Sequence, residues 1–529
     1  MAFRCENCNG SVTFDVESQQ MKCAHCGSSF PPESFRVRDE GTADGGTDLT
    51  VFRCGGCGAE LESTEDSMVG FCPYCGGQSV LNTGRAGGER PERILPFQIS
   101  RESCAALYSR FAKKVRYLPR EMTDPEQLKS FTGIYMPYYE YDVAFGASEI
   151  QGTKTVEDHF RYEVVNTYRI DARLEGTYRG VPFDASRYLD DEIAARTLPF
   201  DTAAERDFHP AYLAGFYADA ATVDGDLYGK DAADQAVKDV VEEVAQSALA
   251  ESGIAVDKSA ARVEAETTGR HRVLYPLWFL TWRKDDRVAY AVINGQSGKV
   301  VSDLPLDLKA FGMGCGVISV VLFLLLELLV QPTPLITSVL SLTAALIMAV
   351  GLWRSTRTVF EKQTHAKDKG WTAGEAPEPP ADPARAAEEP PASSGKAKKQ
   401  KKKGEGKGVG ILMAILIVAV ISLASSGALP YSRVWAAAVL MLTLFLVWRV
   451  SRLQKDIPEK HPLRAALALL AAVILNVALV FLSPVNDAWY YLGDALCIAV
   501  LLFSSLGILR TYNVGTTRPL PTLFDRKEV

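Results

Sequence analysis

The chain has 529 residues, a formal net charge of −7 and 47% hydrophobic residues, with a mean hydropathy of +0.00. That length is enough for several domains, and the acidic balance excludes a protein that coats nucleic acid through net positive charge. The neutral average conceals two unlike halves, a soluble acidic front and a rear in which apolar runs alternate with basic loops.

The front opens on one four-cysteine module written twice. Cys5-x-x-Cys8 is followed by Cys23-x-x-Cys26, and Cys54-x-x-Cys57 by Cys72-x-x-Cys75, with the same interval between pairs in both modules. Matched pairs at this spacing form two knuckles joined by a short hairpin around a tetrahedral zinc ion. A disulfide framework would need an exported N-terminus, and residues 1–4 form no apolar leader. No βαβ pattern follows, which argues against a thioredoxin-like redox pair. His25, between Cys23 and Cys26, reads as a knuckle residue facing water. Four thiolates close the coordination sphere, so both zinc ions are expected to be structural. Cys104, Cys315 and Cys497 are scattered, and the last two fall in apolar runs where small buried residues belong.

These modules predict a small β zinc ribbon at 1–35 and a second at 50–82, joined by a polar, Gly-rich linker. An α+β domain is expected over 92–308. Ser100 is placed to cap a helix with Ala105, Leu107, Phe111 and Val115 on its apolar face. Asp124 and Pro125 form a cap followed by proline at the first helical position. Aromatic-rich stretches at 134–145, 160–178 and 274–282 read as strands. An amphipathic helix starts at Asp231 and stops at Gly253. Residues 287–302 carry a hairpin signal around Asn294-Gly295-Gln296-Ser297-Gly298.

Behind Leu308, six segments are apolar enough to be candidate transmembrane helices: 311–330, 334–353, 409–429, 434–448, 463–482 and 489–509. They divide into a pair within 309–353 and four within 409–510. The loop 354–408 is rich in Pro, Ala and Glu and ends in a lysine run from Lys396 to Lys403, so it is expected to be disordered and to lie against anionic lipid. Lysine and arginine concentrate in this loop, in the loop after the fourth segment and in the tail 511–529. The positive-inside rule therefore places them, with the ribbons, in the cytoplasm of a multi-pass cell-membrane protein. Residues before Phe311 carry a net charge of about −15, a solvated acidic surface without the basic footprint a nucleic-acid binder needs.

Enzyme signatures are absent. There is no phosphate loop, since Gly295 to Lys299 imitates only the end of one and lies in a hairpin. No Gly-x-Ser-x-Gly elbow and no His-Glu-x-x-His pair occurs. His159, His209, His271, His365 and His461 show no ligand spacing. Asp184 and Ser186 could place a carboxylate beside a hydroxyl, although a turn or cap explains them as well. Within the apolar segments, Glu327 and Asp494 are ionisable and Asn476 is placed to join helices by a hydrogen bond.

An ordered series of short motifs completes the front half. The ribbon cysteines precede Ile94-Leu95-Pro96-Phe97, then Gly133 to Tyr139, Val181 to Ser186, Tyr212 to Tyr217, Pro276 to Thr281 and Asn294 to Val300. Over roughly residues 1–310 the chain resembles bacterial membrane proteins with transcription factor IIB-type zinc ribbons, some labelled primosomal or helicase-like. The resemblance implies a place in membrane-stress systems with phage-shock-protein-A-like partners. It also implies a cytoplasmic docking module on a membrane anchor, with the ribbon cysteines as its metal ligands. The expectation is a non-enzymatic, zinc-binding multi-pass adaptor that contacts membrane lipid and a cytoplasmic protein. A transporter or channel with a regulatory zinc domain, and a membrane-tethered nucleic-acid regulator, are the alternatives.

Overall fold

The computed structural model describes residues 3–35, 49–54, 57, 59–64, 72–77, 80–85, 90–159, 162–170, 176–284, 287–329, 333–372, 431–457 and 460–519. The first module folds as a three-stranded antiparallel sheet of β1 (Val12–Asp15), β2 (Gln20–Cys23) and β3 (Ser29–Phe30). The second contributes β4 (Thr50–Cys54), β5 (Glu60–Ser63) and β6 (Val80–Arg85). These three strands do not form a separate ribbon. They extend a 14-stranded sheet that runs through the whole α+β domain.

The spine of that sheet is two long strands. After β7 (Arg93–Ile94) and helices α1 (Arg101–Ala112) and α2 (Pro125–Leu128), β8 runs through Thr132–His159. β9 (Tyr162–Ile170) folds back on its far half, and β10 (Thr177–Asp184) pairs with its near half. Helix α3 (Asp191–Thr197), β11 (Arg206–Asp207), β12 (Tyr217–Asp219), helix α4 (Gly229–Ser252) and β13 (Ala255–Val256) lead to β14 (Arg262–Lys284). β14 pairs antiparallel with β8 from Arg262↔Glu149 to Phe279↔Thr132, with two register shifts that curve the pair. β12 lies parallel to β8 on one side and antiparallel to β5 on the other, which joins the second module to the domain.

The stretch 134–145 is a strand, as its aromatics predict, but nearly all of it is buried because both faces are covered. Tyr135 points into one core with Phe97, Trp278, Phe216 and the first module's Phe14 and Met21. Ile134, Met136 and Tyr138 point into another with Leu95, Tyr275, Leu277 and Phe279. The predicted strand 160–178 is instead β9 and the start of β10, with residues 171–175 between them outside the described residues. The predicted caps form: Ser100 Oγ accepts the Ser103 N–H, Asp124 accepts the Glu126 N–H, and Gly253 ends α4 in the left-handed region at φ 66°. Helix α4 begins two residues before Asp231, at Gly229.

One buried polar cluster ties the sheet together. Glu140, 1% exposed, accepts the Tyr275 hydroxyl and lies 3.6 Å from Arg93, which also pairs with Glu205 at 3.4 Å. Burial first, and then neighbouring Glu205, push the Glu140 carboxyl up to about 8 from 4.5. The folded state therefore keeps a proton that the unfolded chain releases at lower pH. Stability from this proton is full below pH 4.5 and declines as pH rises toward 8. Glu140→Gln carries no charge to desolvate. Thermal melts from pH 5 to 8 are expected to show the wild type losing on the order of 1–3 kcal/mol more than the variant. Parallel pH profiles would refute this.

Behind β15 (Arg287–Asn294) and β16 (Val300–Ser302), the chain enters helices α5 (Leu308–Leu329), α6 (Pro334–Gln363) and α7 (Lys369–Thr372). The later ones are α8 (Tyr431–Leu453), α9 (His461–Leu482) and α10 (Ala488–Thr516). Among the described residues, four helices rather than six are long and apolar enough to cross a membrane: α6, α8, α9 and α10. The predicted first span falls on α5, whose side chains beyond Val321 lie outside the described residues; the described part Leu308–Ser319 is apolar but shorter than a span. The predicted third, 409–429, lies outside the described residues. The short fourth segment, 434–448, is a full 23-residue helix because Tyr431, Ser432 and Arg433 start it early and Arg449 to Leu453 continue it.

The loop expected to be disordered from 354 is helical at its start. Thr356 and Val359 are buried on α6, and Arg357 and Lys367 both pair with Glu361 at 2.7 Å. Residues 373–430, including the lysine run, lie outside the described residues. The tail is not free either. Strand β17 (Arg518–Pro519) pairs with β15, and Arg287 donates to the carbonyls of Val514 and Thr517 at 2.8 and 2.9 Å. Asn513 exchanges two 2.8 Å hydrogen bonds with Leu306. With Lys362 on α6 paired to Asp303 at 2.5 Å, the helical bundle and the sheet domain are stitched by polar contacts at the ends of α6 and α10.

Candidate metal centres

Both cysteine groups assemble as the spacing predicts. Cys5, Cys8, Cys23 and Cys26 bring their sulfurs within 4.8 Å of one another, and so do Cys54, Cys57, Cys72 and Cys75. A zinc ion bound at about 2.3 Å to four sulfurs holds them about 3.8 Å apart. The separations are 3.5 Å for Cys5–Cys26, 3.4 Å for Cys8–Cys23, 3.6 Å for Cys54–Cys75 and 3.7 Å for Cys57–Cys72. These are tetrahedral edges to within a few tenths of an ångström, so the donors fit zinc without rearrangement.

The same local bonds build each knuckle. The Cys23 N–H donates to the Ser28 carbonyl and Gly27 N–H to Cys23, and Cys72 to Gly77 and Gly76 to Cys72 repeat the pattern. Gly27 and Gly76 sit at φ 74° and 69°, where a side chain would strain the turn, and so the glycine after each closing cysteine is required. Within each group the protons are shared unevenly: neighbouring thiols and burial push Cys8 in the first, and Cys57 and Cys72 in the second, upward, while other thiols are held low. Hydrogen bonds from the Ser28 hydroxyl and N–H hold the Cys26 thiol down at about 6. The neighbouring thiols of Cys57 and Cys72, and then the Gly77 N–H, hold Cys75 far below its ordinary value.

The two centres differ in setting. All four cysteines of the second are buried, with Ala59, Leu61, Tyr74 and Tyr188 around them. The knuckle Pro73–Tyr74 lies under the long strands: Thr281 donates to the Pro73 carbonyl and Tyr290 to that of Tyr74. The cysteine spacing predicts the second module as a separate small ribbon over 50–82. It is instead a staple inside the sheet, because β5 finds a partner in β12. The first module docks on the domain through Phe14 against Tyr212 and a 2.5 Å bond from Tyr212 to Glu33. Its knuckle tips remain outside: Glu6, Asn7, Cys8, Ala24, His25 and Cys26 are exposed. His25 faces water, as expected, and takes no place in the cysteine group.

Other sequence candidates fall differently. Ser186 does not meet Asp184. It donates at 2.5 Å to Asp219, which is fully buried behind the second centre. Asp184 is 4% exposed, has one carboxylate oxygen without a hydrogen-bond partner, and lines a cavity of about 740 Å³ with Tyr138, Phe183, Phe200, Tyr228 and Tyr275. Burial, and then Asp191 and Asp368, hold its carboxyl well above the usual range. In the bundle, Asn476 joins α9 to α10 by donating to the Gly493 carbonyl at 3.4 Å, and Asp494 is buried with neither oxygen hydrogen-bonded. The side chain of Glu327, on α5, lies outside the described residues. His365, which no spacing marks as a ligand, sits beside Asp190 and Asp368. Only its i,i+3 relation to Asp368 was visible in the sequence.

Together these features define, among the described residues, a protein with two tetracysteine zinc-type centres, a mixed α/β sheet domain and four long apolar helices. The chain is similar to the uncharacterized protein YdjG of Bacillus subtilis (strain 168), 25% identical over 316 residues that span 58% of this chain and 91% of that protein. No protein-family model and no solved structure matches it.

Proposed function

We propose that the chain is a zinc-dependent adaptor on the cytoplasmic face of a membrane, docking a partner protein through the knuckle tips of its first ribbon. The contrast between the centres carries this reading. Both are closed four-sulfur sites suited to holding structure, yet one is buried as a staple and the other presents its tips to solvent. The front half, at about −15, favours a partner with a basic docking face over nucleic acid. A membrane-stress protein similar to phage-shock protein A is the partner the motif series favours.

Glu6→Lys with His25→Glu alters the tips and leaves all eight cysteines in place. Full-length protein purified in mild detergent from membrane-stressed cells is expected to lose partner recovery at least ten-fold in this variant, with zinc per chain unchanged. Equal recovery would refute docking at the tips. No specific partner on the wild type would refute the adaptor reading itself.

A further inference from the structure

Asp190 caps α3, on the sheet domain, while His365 and Asp368 lie in the turn between α6 and α7, below the long apolar helix. The fold brings one ligand-type atom of each within 4.8 Å of the others. Asp368 is 5% exposed, and the Asp190 and His365 side chains are 14% and 27% exposed.

His365 Nδ1 is buried with no hydrogen-bond partner, 3.7 Å from Asp368 Oδ2. The imidazole is fixed by stacking on Trp371 at 4.3 Å between ring centroids. Its backbone sits at φ 48°, a conformation that costs a histidine energy and persists only where surroundings impose it. Asp368 Oδ1 accepts the Trp371 N–H at 2.8 Å, which leaves Oδ2 facing the imidazole. Asp190 Oδ1 accepts the N–H groups of Glu192 and Ile193 at 3.0 and 3.3 Å, and Oδ2 meets Arg518 at 3.1 Å. The two lysines of the adjoining cavity are engaged elsewhere, Lys362 by Asp303 at 2.5 Å and Lys367 by Glu361 at 2.7 Å. A cavity of about 240 Å³ adjoins the group, with Glu192 and Glu361 in its wall and room for bound water.

We propose that Asp190, His365 and Asp368 form a third metal site, for a first-row divalent cation that accepts one imidazole nitrogen and two carboxylate oxygens. Ligands of this kind, bound at about 2.0–2.2 Å, stand roughly 3–3.5 Å apart, so the His365–Asp368 separation needs to close by only a few tenths of an ångström. Water from the adjoining cavity completes the coordination. The absence of thiolate separates this site from the ribbons and suits it to Mn²⁺ as well as Zn²⁺. One ligand comes from the sheet domain and two from the turn that follows α6, so the ion clamps the domain to the helical bundle.

The test uses full-length protein in mild detergent with both ribbons zinc-loaded. Mn²⁺ is titrated by electron paramagnetic resonance, and Zn²⁺ per chain is measured after dialysis at micromolar free zinc. One Mn²⁺ per chain, and a third zinc in its absence, is the expected result. His365→Gln and Asp368→Asn are each expected to weaken the Mn²⁺ site at least ten-fold while retaining two ribbon zincs, which controls for folding. Wild type that binds neither Mn²⁺ nor a third zinc overturns the proposal. So does undiminished Mn²⁺ binding by both variants. Should either variant lose its ribbon zinc, Glu192→Gln, beside the site, must weaken Mn²⁺ binding with two zincs in place, and failure to do so also overturns it.

Discussion

Replacing Cys54 and Cys72 by serine is expected to abolish the cooperative unfolding of the entire sheet domain. The same change at Cys8 and Cys26 should remove one zinc and leave that domain folded. Closed structural zinc sites contribute about 10–16 kcal/mol in small modules, as much as the roughly 5–15 kcal/mol by which whole domains are stable. The second centre has no independent unit in which to confine its loss. β5 is bonded to β12 and β12 to β8, and the knuckle carbonyls of Pro73 and Tyr74 are taken by Thr281 and Tyr290. Without the ion, four buried sulfurs and two strands lose their anchor in the middle of the sheet. The first centre shares the domain core through Val12, Phe14 and Met21 but is joined by packing and few backbone bonds, such as Phe14 N–H to the Ala214 carbonyl at 2.9 Å. Zinc per chain with thermal unfolding of the detergent-solubilised protein distinguishes the two. Equal destabilisation by both pairs would show that the second centre is not a sheet staple.

The next largest effect is expected at Asn294. It is fully buried, and its amide donates to the carbonyls of Thr197 and Pro199 at 2.9 and 3.2 Å. Its side-chain oxygen accepts the N–H groups of Gln296 and Ser297, both at 2.8 Å. Asn294→Ala deletes four hydrogen bonds at once and strands two carbonyls beside α3 and two turn N–H groups. At about 1 kcal/mol each, the cost is about 3–4 kcal/mol, or a fall of about 10 °C in the melting temperature. Ser297→Ala, on the exposed side of the same turn, should stay within about 0.5 kcal/mol. Comparable losses in the two variants would mean that the turn, rather than the Asn294 network, is what matters.

Local chemistry explains which features were legible in the sequence. The knuckles, the caps at Ser100 and Asp124, the stop at Gly253 and the hairpin around Asn294 are all written in residues a few positions apart. Each is settled by bonds that close within one turn, so spacing suffices to read them. The strand at 134–145 was legible in type but not in setting, since a stretch buried on both faces carries no alternation to show which side is covered. The helix ends were misplaced because α6 and α10 run on beyond their apolar segments. Their extensions are held by contacts to distant residues, Lys362 to Asp303 and Asn513 to Leu306.

The two cysteine groups and four of the six apolar helices were therefore legible in the sequence alone, because metal coordination needs fixed residue types at fixed spacing and long apolar runs need no partner to be recognised. Only the tertiary structure decided that the second centre belongs to the sheet while the first stays at the surface. It also placed His365 beside Asp190. Strand pairing between β5 and β12, and the meeting of α3 with the end of α6, depend on which long-range surfaces complement one another. Such complementarity is a property of the packed chain and leaves no local mark in the residues that take part.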